Sequence, residues 1–145
     1  MANPLEWKGS SNVLVVVRMR PLSRDERVRK EDEVARVVDG RTIEIRDPGH
    51  HANNQMRQAR LKTRAYAFDH SFAPSVPTSE VYACTTRFLV AGVMEGYNAT
   101  VFAYGATGSG KTHTMLGNAA SPGLMPCACL ARGGRARARA RARAR

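Results

Sequence analysis

The sequence predicts a layered α/β domain that carries a ligand site at the carboxyl end of a strand. Three observations favour this fold class. Consecutive, mostly β-branched apolar residues, as in "VLVVV" at 13–17, are typical of strands in an α/β sheet. Apolar residues at helical spacing follow in the segment 78–95. The stretch "GATGSGKT" at 105–112 then matches the pattern G-x-x-x-x-G-K-[ST], which links a strand to a helix.

The first predicted elements are a strand and a short helix. The segment "NVLVVVRMRP" predicts a strand that is covered on both faces, because its apolar residues are consecutive and do not alternate with polar ones. Pro21 ends this strand. Ser23 and Glu26 then have the S-x-x-E spacing of a capping box, which predicts a short, solvated helix from about Arg24.

A β-hairpin and a polar loop come next. In "EVARVVDGRTIEIRDP", we expect Asp39-Gly40 to supply the positive φ angles of a tight turn between two strands. The following "DPGHHANNQMRQAR" is a polar loop. Its adjacent histidines, His50 and His51, have only Asp47 as a nearby candidate partner, so we interpret them as surface residues and not as metal ligands.

The remaining elements lead to the glycine-rich stretch. "TRAYAFDHSF" predicts a strand followed by a turn. A helix that Thr78 or Ser79 caps and Gly96 ends comes next. Its apolar face holds Val81, Cys84, Phe88, Leu89 and Val93. "NATVFAY" then predicts a buried strand that delivers Gly105 at its carboxyl end, which is where open α/β sheets place their ligand sites.

The stretch from Gly105 to Thr112 has the residue types that a triphosphate requires. Gly105, Gly108 and Gly110 permit a tight curl, so that backbone N–H groups converge on the phosphate oxygens. Lys111 can reach the β and γ phosphates, and the Thr112 hydroxyl is placed to bind Mg²⁺. The following helix directs its partly positive end at the same phosphates. The alternative, a glycine-rich turn with an incidental lysine, is less favoured because a chance match is rare.

The residues around this loop resemble the kinesin motor domain. "GYNATVFAYGATGSGKTHTMLG" is similar to the phosphate-loop segment of that family. "VVVRMRPLS" resembles its R-x-R-P element, and "YAFDHSFAPSVPTSEVY" resembles its F-D-x-x-F and E-V-Y stretch. Ala106 and the phrase "YNATVFAYGATG" look most like the eighth kinesin subfamily, the plus-end motors that also depolymerise microtubules. The resemblance covers about residues 12–126.

The resemblance implies a fold, a cofactor and a set of binding residues. The fold would be part of the P-loop NTPase fold of the kinesin type, a central sheet with flanking helices that is truncated after the phosphate loop. The cofactors would be ATP and Mg²⁺, with Thr112 on the metal. Arg18, Pro21 and His113 match positions that contact the adenine. The phosphates would be held by Gly105, Ala106, Thr107, Gly108, Ser109, Gly110, Lys111 and Thr112.

The resemblance also implies partners and a location. The intact parent would move on microtubules in the cytoplasm and would couple this movement to ATP hydrolysis. The family's Ser-Ser-Arg and D-x-x-G switch segments have no counterpart in this sequence. Because phosphoryl transfer depends on such positioning and charged groups, whether this chain hydrolyses ATP stays open. One alternative is therefore a truncated product without function.

Charge patterning sets the last part of the chain apart. We expect a flexible N-terminus at 1–11, the amino-terminal part of a kinesin-like motor domain at 12–126, and a disordered, low-complexity Arg-Ala tail at 127–145. Residues 132–145 hold seven arginines of a chain whose net charge is +11. A second alternative is therefore a basic tail that binds polyanions, either nucleic acid or the acidic surface of tubulin. The tail has no aromatic residue for base stacking, so we expect no specific nucleic-acid binding.

Bulk composition adds limits of its own. A chain of 145 residues with 43% hydrophobic residues is long enough for one modest core. Its start lacks the pattern of a secretory signal, and its purest apolar run is far too short to span a membrane, so we expect a soluble, intracellular protein with no membrane partner. Cys84, Cys127 and Cys129 have no C-x-x-C spacing, so we expect free thiols.

Overall fold

The computed structural model describes residues 13–46, 63–131 and 133. These residues form two compact units, Val13–Ser75 and the described residues from Val76 onward. The loop that contains Asp47, His50 and His51 lies outside the described residues, as do the N-terminal segment 1–12 and most of the Arg-Ala tail. The chain is of the α/β class, since both parallel and antiparallel strand pairs occur together with helices.

The first unit contains five strands and one helix. Their bounds are β1 Val16–Arg18, α1 Arg24–Val28, β2 Ala35–Val37, β3 Thr42–Arg46, β4 Thr63–Ala67 and β5 His70–Phe72. Strands β1 and β5 are parallel, with Val17 opposite Ser71. Strands β2, β3 and β4 form an antiparallel sheet in that order, in which Ile43 is paired with Val37 on one side and Tyr66 on the other.

Helix α1 forms where the capping box predicts it. The Ser23 hydroxyl accepts a hydrogen bond from the Glu26 N–H at 3.2 Å, and the Glu26 carboxylate accepts from the Ser23 N–H at 2.6 Å. Arg20 also donates to the Glu26 carboxylate. These hydrogen bonds to the charged form lower the pKa of Glu26 from 4.5 to about 2, with the bond from Arg20 as the largest cause. The prediction from the local sequence is confirmed.

The β2–β3 hairpin is present, but its turn differs from the predicted one. Neither Asp39 nor Gly40 has a positive φ angle. The Val38 N–H donates to the Thr42 carbonyl at 2.9 Å, so three residues close the turn and the positive φ angles of a two-residue turn are not needed. The Asp39 carboxylate instead accepts from the N–H groups of Arg41 and Thr42, at 2.7 and 2.6 Å. The predicted backbone conformation is therefore wrong, although the hairpin is right.

Strand β1 is shorter and more exposed than predicted. The apolar run suggested a strand over 13–17 that is covered on both faces, yet the strand is Val16–Arg18, and both Val13 and Val15 are exposed. The reason is that β1 pairs with one strand only, β5, among the described residues. The buried apolar residues of this unit are Ile43 and Phe72.

The second unit is helical in its described part. Its helices are α2 Thr78–Thr85, α3 Arg87–Met94 and α4 Lys111–Met115, and residues 124–131 are also helical. The predicted cap of α2 is wrong, because Thr78 already belongs to the helix and Pro77, an extended residue, occupies the cap position without a side-chain hydrogen bond. The helical segment 124–131 crosses the boundary predicted at residue 127.

The single predicted helix over 78–95 is divided into two. Thr86 separates α2 from α3, and the Thr85 hydroxyl donates to the Val81 carbonyl at 2.6 Å just before the break. Of the predicted apolar face, Val81 is buried, whereas Val93 is exposed. Gly96 ends α3 as predicted, with a φ angle of 102° and its N–H donating to the Val93 carbonyl.

The segment 98–104, predicted to be a buried strand, is neither buried nor a strand. It pairs with no other strand in the part of the chain that the structure describes. Phe102 is 79% exposed and Tyr104 is 97% exposed. The prediction is wrong because a β-prone sequence becomes a strand only when another strand satisfies its backbone N–H and C=O groups. The tight curl that follows nevertheless begins at Gly105.

Cys84, Cys127 and Cys129 are free thiols, as predicted, and burial raises the pKa of Cys84. Within the described ranges, every helix is too short or too polar to cross a membrane.

Candidate phosphate-binding loop

The backbone of the loop at 105–112 depends on its glycines. Gly105, Gly108 and Gly110 have φ angles of 153°, 81° and 92°, a region that residues with a side chain rarely adopt. The Ser109 N–H donates to the Ala106 carbonyl at 3.2 Å and closes the turn between these glycines. The three glycine positions that the sequence analysis singled out are therefore the positions where the chain takes its unusual conformation.

Gly105 also makes a close approach that a side chain would prevent. A Cβ atom built on Gly105 would lie 2.6 Å from the Ser109 Oγ and 3.3 Å from the Ser109 Cβ. A Cβ atom on Gly108 would have nothing within 4 Å. Glycine is therefore required at Gly105 for space and for backbone angle, and at Gly108 for backbone angle alone.

Lys111 folds back over the start of the loop. Its Nζ donates to the Gly105 carbonyl at 2.7 Å and to the Ala106 carbonyl at 2.8 Å. An ammonium group has three N–H donors, so two are used within the loop. The residue pattern did not reveal these acceptors, because they are backbone carbonyls and carry no sequence signal.

Thr112 and His113 lie on the first turn of α4. The helix begins after Gly110, whose carbonyl accepts from the Thr114 N–H at 2.9 Å. Both side chains are exposed to solvent, as are those of Ala106 and Thr107. Among the described residues, no three His, Cys, Asp or Glu side chains come together as a metal site.

The end of α4 is fixed by a tight turn that the sequence analysis missed. Gly117 and Pro122 form an antiparallel bridge, and the Asn118 side-chain oxygen accepts from the N–H groups of Ala120 and Ser121. The Gly123 N–H donates to the Leu116 carbonyl at 3.0 Å. The glycines of "GNAASPG" and its Asn-x-x-Ser spacing are the signal that would have indicated it.

Two of the predicted adenine-binding residues lie in the first unit. Arg18 is the last residue of β1 and is half-buried, and this burial lowers the pKa of its guanidinium group. Pro21 is exposed in the segment between β1 and α1. The loop at 105–112 and His113 belong to the second unit.

The chain is similar to kinesins over most of its length. It matches the kinesin motor domain family at residues 18–131. The kinesin-like protein KIN-7L, chloroplastic, of Arabidopsis thaliana is 46% identical over 125 residues, which are 86% of this chain and 12% of that protein. The kinesin-like protein KIN-8A of Oryza sativa subsp. japonica is 41% identical over 118 residues, which are 81% of this chain and 15% of that protein.

These relatives broaden the earlier resemblance. They bear KIN-7 as well as KIN-8 names, so the similarity extends beyond the eighth subfamily. The match to the family reaches residue 131, and the domain boundary at 126 stays a prediction. The chain spans roughly a tenth to a sixth of the length of the relatives it matches. With its glycine loop and a family match over residues 18–131, the chain belongs to the kinesin motor domain family.

Proposed function

We propose that this chain is the ATP-binding part of a kinesin microtubule motor, and that residues 105–112 hold the phosphates of Mg-ATP. The proposal rests on one observation. In a member of the kinesin motor domain family, the G-x-x-x-x-G-K-T residues form a glycine-dependent curl with a lysine folded onto it. Two alternatives, a product without function and a tail that binds polyanions, gain no support from the relatives.

The residues of the loop suit a phosphate group chemically. The curl at Gly105, Gly108 and Gly110 leaves backbone N–H groups available to anionic oxygens without interference from side chains. No Asp or Glu follows Glu95 in the sequence, so the neighbouring chain adds no negative charge that would repel a phosphate. Lys111 supplies a positive charge at the loop. Bound Mg²⁺ would neutralise phosphate charge, and the Thr112 hydroxyl would be its protein ligand.

The roles of the remaining residues follow the family's pattern. Arg18, Pro21 and His113 would contact the adenine. Ala106, Thr107 and Ser109 would contribute backbone groups to the phosphate site. For the whole motor, we propose that it acts on microtubules in the cytoplasm and couples this action to ATP hydrolysis. Some relatives carry the words chloroplastic or mitochondrial in their names, so imaging of the tagged whole protein beside a microtubule marker would test this location.

A binding titration tests the nucleotide site directly. The protein is titrated with a fluorescent ATP analogue in the presence and absence of Mg²⁺. We expect binding that depends on Mg²⁺ and weakens at least about tenfold in Lys111→Ala, because a charge-assisted hydrogen bond contributes about 1.5–3 kcal/mol. Arg87→Ala is the matched control, since it removes an equal charge from an exposed position at the start of α3. Equal losses in both variants would refute a specific role for Lys111.

Two further assays separate the proposed function from the alternatives. A motor enzyme predicts an ATPase rate that rises with microtubules. A polyanion-binding tail predicts salt-sensitive binding to nucleic acid or microtubules that survives Lys111→Ala. A product without function predicts neither activity and no nucleotide binding. The ATPase rate is measured on the whole motor, and the nucleotide and polyanion binding measurements use this chain.

A further inference from the structure

Strand β4 is an exposed edge of the antiparallel sheet. It lies at the end of the order β2-β3-β4, and every residue of Thr63–Ala67 is exposed to solvent. The strand contains no proline, lysine or acidic residue. Proteins usually protect a sheet edge with such residues or with a bulge, because an open edge pairs readily with another strand. Strand β4 therefore offers its outer backbone groups to a partner.

The hydrogen bonds of the sheet show which groups of β4 face outward. The Phe68 N–H donates to the Arg41 carbonyl at 2.8 Å, so these two residues are a hydrogen-bonded pair in the register that joins β3 to β4. Hydrogen-bonded pairs alternate along an antiparallel ladder, so Arg64 and Tyr66 also direct their backbone groups to β3. The outward backbone groups belong to the residues between them, namely Thr63, Ala65 and Ala67.

The sequence of β4 is complementary to itself in one antiparallel register. When Ala65 lies opposite Ala65 of a second copy, all five residues of the strand are paired and the outward groups of the two strands face each other. Arg64 then lies opposite Tyr66 of the second copy, at a non-hydrogen-bonded position where side chains are closest. A guanidinium group is attracted to the face of a tyrosine ring, and the two-fold symmetry supplies this contact twice.

The side chains of this pair are available for the contact. Tyr66 is 41% exposed. Arg64 is also exposed and forms no ion pair with another described residue. Neither side chain is therefore held in another arrangement by a salt bridge within the described part of the chain.

Neighbouring registers are less favourable. A shift that places Arg64 opposite Arg64 of the second copy brings like charges together, which destabilises a cross-strand pair. A shift in the other direction places Tyr66 opposite Tyr66 and removes the contact between Arg64 and Tyr66. Either shift leaves the end residues of β4 without a strand residue opposite them. The register centred on Ala65 is therefore the most favourable of the three.

We propose that β4 pairs with β4 of a second copy of this chain, in the antiparallel register centred on Ala65, so that two three-stranded sheets form one six-stranded sheet. The interface is isologous, since both copies contribute the same edge. Two short strands bury much less surface than a standard protein interface, so the dimer is weak and forms at high protein concentration. This pairing goes beyond the proposed nucleotide site, and none of its residues belongs to that site.

Disulfide trapping tests the register in the full chain. Serine first replaces the three native cysteines, Cys84, Cys127 and Cys129. A single cysteine is then introduced as Ala65→Cys or, in the matched control, as Ala67→Cys. Oxidised glutathione is the oxidant, and non-reducing gel electrophoresis measures the rate at which the linked dimer forms. Both positions are exposed alanines of the same strand, so their thiols have similar access to the oxidant.

The two positions differ in their distance from the same position of the second copy. At position 65 the two Cα atoms would be about 5.5 Å apart, which a disulfide can bridge. At position 67 they would be separated by four residues along the strands, or more than about 13 Å, which is too far. We expect the linked dimer to form at least about tenfold faster from Ala65→Cys than from Ala67→Cys.

A proline variant tests the backbone pairing. Thr63→Pro is added to Ala65→Cys, where it removes an outward N–H group and leaves the hydrogen bonds to β3 intact. Thr63→Ala is its control, because alanine keeps the N–H group. We expect Thr63→Pro to slow linking at least about fivefold, since two hydrogen bonds are lost per dimer, and Thr63→Ala to stay within about twofold of Ala65→Cys. Circular dichroism checks that both variants fold.

Three results would overturn the proposal. They are equal linking rates at positions 65 and 67, no linked dimer from Ala65→Cys, and linking that Thr63→Pro leaves unchanged in a folded protein. Association through any other surface does not favour position 65 over position 67, and a Thr63→Pro variant that does not fold leaves the comparison of these two positions decisive. The measurement involves no nucleotide, so its outcome is independent of the proposed function.

Discussion

Alanine substitutions at three glycines should weaken Mg-ATP binding in a definite order. Gly105, Gly108 and Gly40 differ in the two properties that make glycine necessary. Gly105 has a φ of 153° and a close neighbour, Gly108 has a φ of 81° and open space, and Gly40 has neither restriction. If the curl is the conformation that binds phosphate, each substitution should cost binding energy in proportion to the strain it introduces into that curl.

The magnitudes follow from these local geometries. Alanine at a left-handed φ costs about 1–2 kcal/mol, so Gly108→Ala should weaken binding by about 5- to 30-fold. Gly105→Ala adds the conflict with Ser109, whose Oγ would lie only 2.6 Å from the new methyl carbon. We expect a total of about 2–3 kcal/mol, or roughly 30- to 150-fold. Gly40→Ala should bind as the wild type does.

The double variant Gly105→Ala/Ser109→Ala separates the steric conflict with Ser109 from the strain of the backbone angle at position 105. Ser109→Ala removes the Oγ atom that would lie 2.6 Å from the Gly105→Ala methyl group. The affinity of the double variant should therefore recover toward that of Gly108→Ala without exceeding it, since the positive φ and the 3.3 Å contact with the Cβ at position 109 both remain. Isothermal titration calorimetry with Mg-ATP gives the five affinities, those of the wild type, the three single variants and the double variant. Wild-type affinity in Gly105→Ala, or a larger loss in Gly108→Ala, would refute the reasoning.

Three further predictions concern the surrounding fold. Ile43→Ala, at 4% exposure, should lower the free energy of unfolding by about 2–4 kcal/mol in urea titrations, whereas the control Ile45→Ala, at 43% exposure, should cost less than about 1 kcal/mol. The Glu26 carboxyl should titrate near pH 2 when it is followed by NMR. Its ionised form should stabilise the folded protein fully above pH 4.5, and this stabilisation should decline as the pH falls toward 2. A Glu26 pKa that is not lowered would contradict the capping contacts. Phe102→Asp should reduce concentration-dependent self-association in sedimentation experiments, because the exposed, unpaired segment 98–104 is a template for strand pairing. A monodisperse wild-type protein would contradict this prediction.

Local interactions explain the predictions that succeeded. The capping box at Ser23 and Glu26 is an exchange of hydrogen bonds across three residues, and the end of α3 at Gly96 depends on one backbone angle. The glycines of the phosphate loop are likewise required by their own φ angles. Such features are specified by the residues at those positions, so they can be read from the sequence without knowledge of the rest of the fold.

Contacts between distant residues explain the predictions that failed. The segment 98–104 has strand propensity but no partner strand among the described residues, and β1 is shortened because it pairs with β5 alone. The hairpin turn is a local exception: three residues close it, so the positive φ angles of a two-residue turn are not needed, and the Asp39 carboxylate accepts two backbone hydrogen bonds within it. Each outcome depended on which backbone groups found partners, and apolar periodicity contains no information about that.

The sequence by itself determined the family, the location of the glycine-rich loop and the glycines on which its curl depends, because these follow from residue type and spacing along the chain. Only the tertiary structure decided where the Lys111 ammonium lies. Its acceptors are the carbonyls of Gly105 and Ala106, groups that every residue carries, and they become specific partners only when the chain curls to bring them within hydrogen-bond distance.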